Sequence, residues 1–261
     1  MGATADADGA RRLAGARAVV TGASSGIGRA IAERFAANGA SVLITYRSSA
    51  RAARSVMQRI VEHGGRAEVL RADLASTTAC QALVEEAVAR LGTVDVWVNN
   101  AGADILTGEG AALSWERKLD LLLAVDVKGT IACSRAIAAV MSRQAGGGSI
   151  INMSWDHAVS GMAGENAELF SAVKGAVLAY SKSLARSVAP RVRVNVLCPG
   201  WIETAFGRQV SPEFHRAVAR SIPLGRWGTP ADVAGAAVYL ASAEAAFITG
   251  QALNINGGEV T

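Results

Sequence analysis

Thr21-Gly22-Ala23-Ser24-Ser25-Gly26-Ile27-Gly28 is the stretch on which the reading of this chain turns. It follows a short β-branched run, Arg17–Thr21, and runs directly into a helical pattern, Ile27–Asn38. Gly22 permits a tight turn away from the strand. Gly26 lets a bulky anionic group come up to the backbone, and Gly28 lets the helix pack closely on a sheet. The first turn of the helix then offers free N–H groups and the positive end of its dipole to a phosphate. Three glycines in a loop mean little by themselves. Their position between strand and helix predicts a phosphate cradle formed by Gly22, Ser24, Ser25, Gly26, Ile27 and Gly28.

Outward from this turn, β-branched runs alternate with Ala-rich helical stretches. The strand candidates are Arg17–Thr21, Ser41–Tyr46, Arg66–Arg71, Val94–Asn99, Ser149–Met153, Arg191–Leu197 and Ala252–Asn256. Helical patterns cover Ile27–Asn38, Ser49–His63, Thr77–Leu91, Leu113–Arg143, Phe170–Ala189 and Ala231–Leu240. Nearly continuous apolar strands are strands buried on both faces. Their alternation with helices predicts right-handed crossovers and an α/β fold: one doubly wound parallel sheet of about seven strands flanked by helices. Residues 1–14 read as a frayed tail and residues 15–261 as a single domain. Pro199 to Pro223 is the least regular stretch, and its helical piece Pro212–Arg220 sits where a lid could form.

Composition narrows the function. The 261 residues are 51% hydrophobic and 18% charged, which excludes a mainly disordered chain. Lys and Arg number 26 against 22 Asp and Glu, a scattered excess without a basic block, so no nucleic-acid partner is expected. No stretch reaches the roughly 18 apolar residues of a membrane span. Cys80, Cys133 and Cys198 lie far apart and match no disulfide or metal spacing. They read as reduced core residues of a cytoplasmic protein, and no metal site is expected.

The end of the second strand, Leu43-Ile44-Thr45-Tyr46-Arg47-Ser48, bears on cofactor choice. A site selective for NAD places Asp or Glu here for the ribose 2′-hydroxyl. This chain has Thr45 with Arg47 close behind, which suits a 2′-phosphate and favours NADP(H) over NAD(H). Asp73-Leu74 follows the third strand, where a carboxylate can accept the adenine amino group.

With these residues in place the chain resembles the short-chain dehydrogenase/reductase family, in particular its ketoacyl-carrier-protein-reductase-like branch. The matching pieces are TGASSGIG at Thr21–Gly28, Asp73-Leu74, Asn99-Asn100-Ala101-Gly102, and Pro199-Gly200-Trp201-Ile202-Glu203-Thr204. PLGRWGTP at Pro223–Pro230 and ITGQALNINGG at Ile248–Gly258 complete the set. The resemblance implies a Rossmann-type domain, a nicotinamide cofactor, a small-molecule or acyl substrate, and assembly as a homotetramer or homodimer through the long helices. It also implies that Asn100, Ala101 and Gly102 line the cofactor pocket. Pro199 and Gly200 would contact the nicotinamide end, with Ile202 and Thr204 near the carboxamide.

The family's catalytic Asn, Ser, Tyr and Lys fall on Asp126, Trp155, Phe170 and Lys174. Only the Lys is kept. Ser154 or Ser160 could still supply a hydroxyl. Reducing a carbonyl makes an alkoxide that needs a proton donor, and a phenol beside a lysine ammonium serves as one. Phe170 has the ring without the proton. Lys174, Asp126 and His157 are therefore the catalytic candidates, with Asp156, Glu165 and Glu168 behind them, and Lys174 is expected first of all to hold the nicotinamide ribose hydroxyls. Trp155, Phe170 and Trp201 are the expected substrate-pocket walls, together with Met162 and Phe206. Two functions remain open at this point. One is an NADP(H)-dependent oxidoreductase with an altered proton pathway, acting on a carbonyl, enoyl or imine group. The other is a nucleotide-binding pseudo-enzyme or partner subunit without redox turnover.

Overall fold

The computed structural model describes residues 11–260. The strands are β1 (Arg17–Val20), β2 (Ser41–Tyr46), β3 (Arg66–Arg71), β4 (Val96–Asn99), β5 (Gly148–Met153), β6 (Val192–Pro199) and β7 (Ala252–Ile255). They form one seven-stranded sheet in the order β3-β2-β1-β4-β5-β6-β7, parallel at every pairing. The order reverses between β1 and β4, and their carboxyl ends open the crevice where doubly wound sheets take their ligands.

The helices are α1 (Gly26–Ala37), α2 (Ala50–Glu62), α3 (Thr77–Leu91), the short α4 (Gly108–Ala111), α5 (Trp115–Leu122), α6 (Thr130–Met141), the short α7 (His157–Ser160), α8 (Glu165–Val188), α9 (Pro212–Ser221) and α10 (Pro230–Ala241). Successive strand residues feed opposite faces of the sheet. Val20, Ile44, Val98 and Ile151 pack with Ile31, Phe35 and Val233 on one side. Val19, Leu43, Trp97 and Ile150 pack with Leu83, Ile137 and Met141 on the other. Burial on both faces is why these strands lack a polar alternation.

Three expectations need correction. The pattern Leu113–Arg143 is not one regular helix. It begins at Trp115 and passes through a wide π turn, Leu123–Gly129, between α5 and α6. Gly129 packs so tightly on Leu74 that a Cβ there would lie 2.6 Å from the Leu74 carbonyl oxygen, and Asp126 is turned inward within the same segment. The last long helix begins at Glu165, not Phe170. Gly164, at φ 120°, ends the preceding loop, and Glu165 and Glu168 then sit in the first turn, where the dipole favours them. Of the expected tail, residues 1–10 lie outside the described residues, but Arg11–Ala14 are packed. Leu13 is buried and donates its N–H to the Asn38 carbonyl at 3.0 Å, because its side chain completes the core beside α1.

Candidate active site

The cradle is built from sterics first. Gly22 has φ 63°, and a Cβ on it would sit 2.8 Å from the Ala101 Cα, so strands β1 and β4 meet here backbone to backbone. Gly28 makes room for a side chain: a Cβ would fall 2.3 Å from Asn100 Nδ2. That amide donates to the carbonyls of Thr21 at 2.9 Å and Gly22 at 3.2 Å. The glycine therefore admits Asn100 as well as bringing the helix close. Thr21 Oγ1 accepts the N–H groups of Asn100 and Ala101, each at 3.0 Å. Thr45 Oγ1 accepts from Gly22 N at 3.3 Å. Thr21 and Thr45 hold the turn, and sequence reading gave neither this role.

Gly26, at φ 55°, would bring a Cβ no nearer than 3.8 Å to Thr204, so this side of the turn is open. Helix α1 also lacks a side-chain cap, as do α2, α5 and α8, while α3, α9 and α10 are capped by Ser76, Ser211 and Thr229. No acid stands in its first turn. An uncapped helix start beside an open glycine is a place prepared for an exogenous anion, and a dinucleotide pyrophosphate fits it.

Two cavities flank the turn. The first, of about 410 Å³, is lined by Ser24, Ser25, Arg47, Asp73, Leu74 and Gly102 among others, which brings the expected adenosine-side residues together. Arg47 is exposed at its rim and has no carboxylate partner among the described residues. The second cavity, of about 570 Å³, is walled by Met153, Trp155, Phe170, Trp201, Phe206 and Trp227. Ile27, Asn100, Pro199, Gly200, Ile202 and Thr204 also reach it. Trp155 and Phe170 meet with ring centroids 6.2 Å apart.

Lys174 and Glu165 are the ionisable residues lining this second cavity. Lys174 Nζ stands 2.8 Å from Asp126 Oδ2 and 3.4 Å from the Met153 carbonyl oxygen. Asp126, only 2% exposed, uses its other oxygen to accept the Ala103 N–H at 2.8 Å. The π turn is what aims it there, so the residue at the expected Asn position is the counterion of Lys174. Neither alternative hydroxyl is free. Ser154 Oγ donates to the Lys174 carbonyl at 2.8 Å, and Ser160 Oγ lies 3.4 Å from His157 Nδ1. No tyrosine hydroxyl bonds Lys174 among the described residues; Tyr180 donates instead to the Ile131 carbonyl at 3.4 Å.

His157 does not line the cavity. It is buried behind Trp155, ring centroids 5.1 Å apart, with Asp156 beside it and Glu259 opposite. As a proton donor to the cavity it is out of place, because the indole of Trp155 stands between. Glu168 is exposed on α8, and Glu165 at the cavity mouth approaches Lys118 Nζ at 3.7 Å. Glu259 was missed by sequence reading and has no local pattern that would reveal it.

Comparison with known proteins accords with this geometry. The family described as "Enoyl-(Acyl carrier protein) reductase" matches residues 22–259. The chain is 37% identical over 252 residues to 3beta-hydroxysteroid dehydrogenase 1 of Eggerthella lenta, covering 94% of each protein. It is 36% identical over 248 residues to the 3-oxoacyl-[acyl-carrier-protein] reductase of a Synechocystis species, covering 93% of this chain and 96% of that one. A short-chain dehydrogenase of Burkholderia cenocepacia, solved in complex with NADP, superposes with a TM-score of 0.84 at 34% identity, over 95% of this chain and 99% of that one. In sequence, sheet order and cofactor cleft alike, the chain belongs to the short-chain dehydrogenase/reductase family of nicotinamide-dependent oxidoreductases.

Proposed function

We propose that the protein is an NADP(H)-dependent reductase that acts on a small apolar carbonyl, enoyl or imine group with Lys174 in place of the missing phenol. The observation that carries this reading is the state of the Lys174 ammonium. It has three N–H donors. One faces Asp126 Oδ2 at 2.8 Å and one the Met153 carbonyl at 3.4 Å, which leaves a third for the cavity. Bound NADPH would supply the hydride equivalent. Lys174 Nζ then donates to the oxygen or nitrogen on which charge develops, or to the ribose hydroxyls when no substrate is present. Asp126 fixes the ammonium in place, and the aromatic walls exclude water and select an apolar substrate. The roles proposed for the cofactor residues are those expected from sequence: the pyrophosphate on Ser24 to Gly28, the 2′-phosphate on Arg47, the adenine beside Asp73 and Leu74.

Phe170 at the phenol position favours a second reading, a nucleotide-binding pseudo-enzyme or partner subunit without redox turnover. One experiment separates the two. NADPH is mixed with a panel of ketones, enones and imines, and its absorbance is followed. Turnover lost in Lys174→Met supports the reductase. NADPH binding without turnover across the panel supports the binder. Assembly as a homodimer or homotetramer belongs to the same proposal; half-exposed Trp115 and exposed Leu123 on the α5 side are apolar surface it would cover. So does a cytoplasmic location, which suits three free, buried cysteines. Among the described residues no helix is long and apolar enough to cross a membrane.

A further inference from the structure

Behind the aromatic wall, Asp156, His157 and Glu259 converge, and none has a part in the proposed reduction. One donor atom from each lies within 4.8 Å of the other two. Asp156 is 6% exposed and His157 9%. Each side chain has one polar atom engaged. Asp156 Oδ1 accepts the His157 N–H at 2.9 Å, Glu259 Oε1 accepts from Trp201 Nε1 at 3.0 Å, and His157 Nδ1 meets Ser160 Oγ at 3.4 Å. Each also has one polar atom buried without a hydrogen-bond partner: Asp156 Oδ2, His157 Nε2, which stands 3.9 Å from Glu259 Oε1, and Glu259 Oε2. Buried polar atoms are almost always satisfied, and three orphans in one place call for a common explanation.

We infer that these three residues form a binding site for a first-row divalent transition metal such as Zn²⁺. Two carboxylates and an imidazole share this buried pocket, and among the described residues no lysine or arginine is paired with them. The engaged atoms act as an outer shell: an imidazole that donates its Nδ1–H to Ser160 Oγ would present its lone pair at Nε2, and Trp201 orients Glu259. An imidazole beside carboxylates selects Zn²⁺ or Mn²⁺ over Mg²⁺ and Ca²⁺, which prefer all-oxygen shells. Metal–ligand bonds of about 2.0–2.2 Å place tetrahedral ligands roughly 3.5 Å apart, so binding draws the group inward by about 1 Å. Glu259, on the short segment after β7, supplies that movement.

The site is a clamp, set outside the cavity. It ties the segment after β7 to the loop after β5, directly behind Trp155 and Trp201. Gly200 keeps it open, since a Cβ there would stand 2.8 Å from Asp156 Oδ2. The test uses the full chain, stripped with chelator and titrated with Zn²⁺ by calorimetry and thermal melting. One equivalent should bind and raise the Tm. Glu259→Gln and His157→Ala should each weaken Zn²⁺ at least about tenfold, while His63→Ala, at an exposed histidine after α2, should leave affinity unchanged. The Tm of Glu259→Gln in chelator verifies that this variant folds. A wild-type chain that neither binds Zn²⁺ saturably nor gains Tm overturns the inference. So does Zn²⁺ binding that Glu259→Gln leaves intact, which would make the three atoms holders of a shared proton.

Discussion

Where β1 and β4 end, polar side chains are spent on backbone. Thr21, Thr45 and Asn100 between them hold the glycine turn, and the groups left over, the α1 N–H groups and Arg47, face the cleft as an anion site. Where β5 and β6 end, the walls are aromatic and the polar atoms are either locked together, as Lys174 and Asp126 are, or stranded, as in the cluster behind Trp155. The two ends of one cleft thus rest on different physics. The first is set by the absence of Cβ atoms and tolerates little change. The second is set by side-chain chemistry on a finished frame, so it can be rewritten without disturbing the sheet.

The sharpest way to press that contrast is to restore the lost chemistry. Phe170→Tyr with Trp155→Ser should raise ketone reduction by NADPH by about 10²–10⁴-fold, the usual worth of a positioned acid. Steady-state kinetics would measure it, and an inert double variant that still binds NADPH would mean that the reacting end is not organised around Lys174. Next in size is Asp126→Ala, which leaves the Lys174 ammonium in the site without its counterion. It should cost about 3–5 kcal/mol in denaturant unfolding, while Asp126→Asn, which keeps an oxygen for the Ala103 N–H, should cost less. Gly28→Ala tests the other end. Its Cβ displaces Asn100, and about 1–3 kcal/mol of overpacking should appear as a lower Tm together with weaker NADPH binding. The smallest effect is Arg47→Ala. It should weaken NADPH by about tenfold, near 1.4 kcal/mol, and leave NADH nearly untouched in a fluorescence titration; an equal loss for both would remove the 2′-phosphate role.

The same division decides what could be read from sequence. Glycine spacing and strand runs are local, and the glycine turn, the strand set and the parallel, doubly wound class of the sheet follow from them. Residues such as Arg47 and Asp73 reach their cavity because a strand end fixes where the next residue goes. The π turn was not legible, because one widened turn leaves the apolar pattern around Leu113–Arg143 almost unchanged. The start of α8 was hidden by Gly164, which reads as loop and breaks off a helix that polar Glu165 and Glu168 actually begin. His157 follows a strand at the edge where sites lie, yet its facing is decided by Trp155 and by Glu259, which comes from the far end of the chain. No spacing rule connects residues that meet only through the tertiary fold.

The wide turn at Leu123–Gly129 also fixes how this helix can change length. Removing one residue there would let the backbone relax to regular geometry, and everything before it would swing by about 100° around the axis. Lys118, buried on α5 with its ammonium 3.1 Å from Asn166 Oδ1, would be carried to another side of the helix, away from its partner. A single-codon deletion that looks like a repair is thus a rotation of one whole wall of the molecule, and insertions or deletions should be filtered out of this segment far more severely than out of the loops around it.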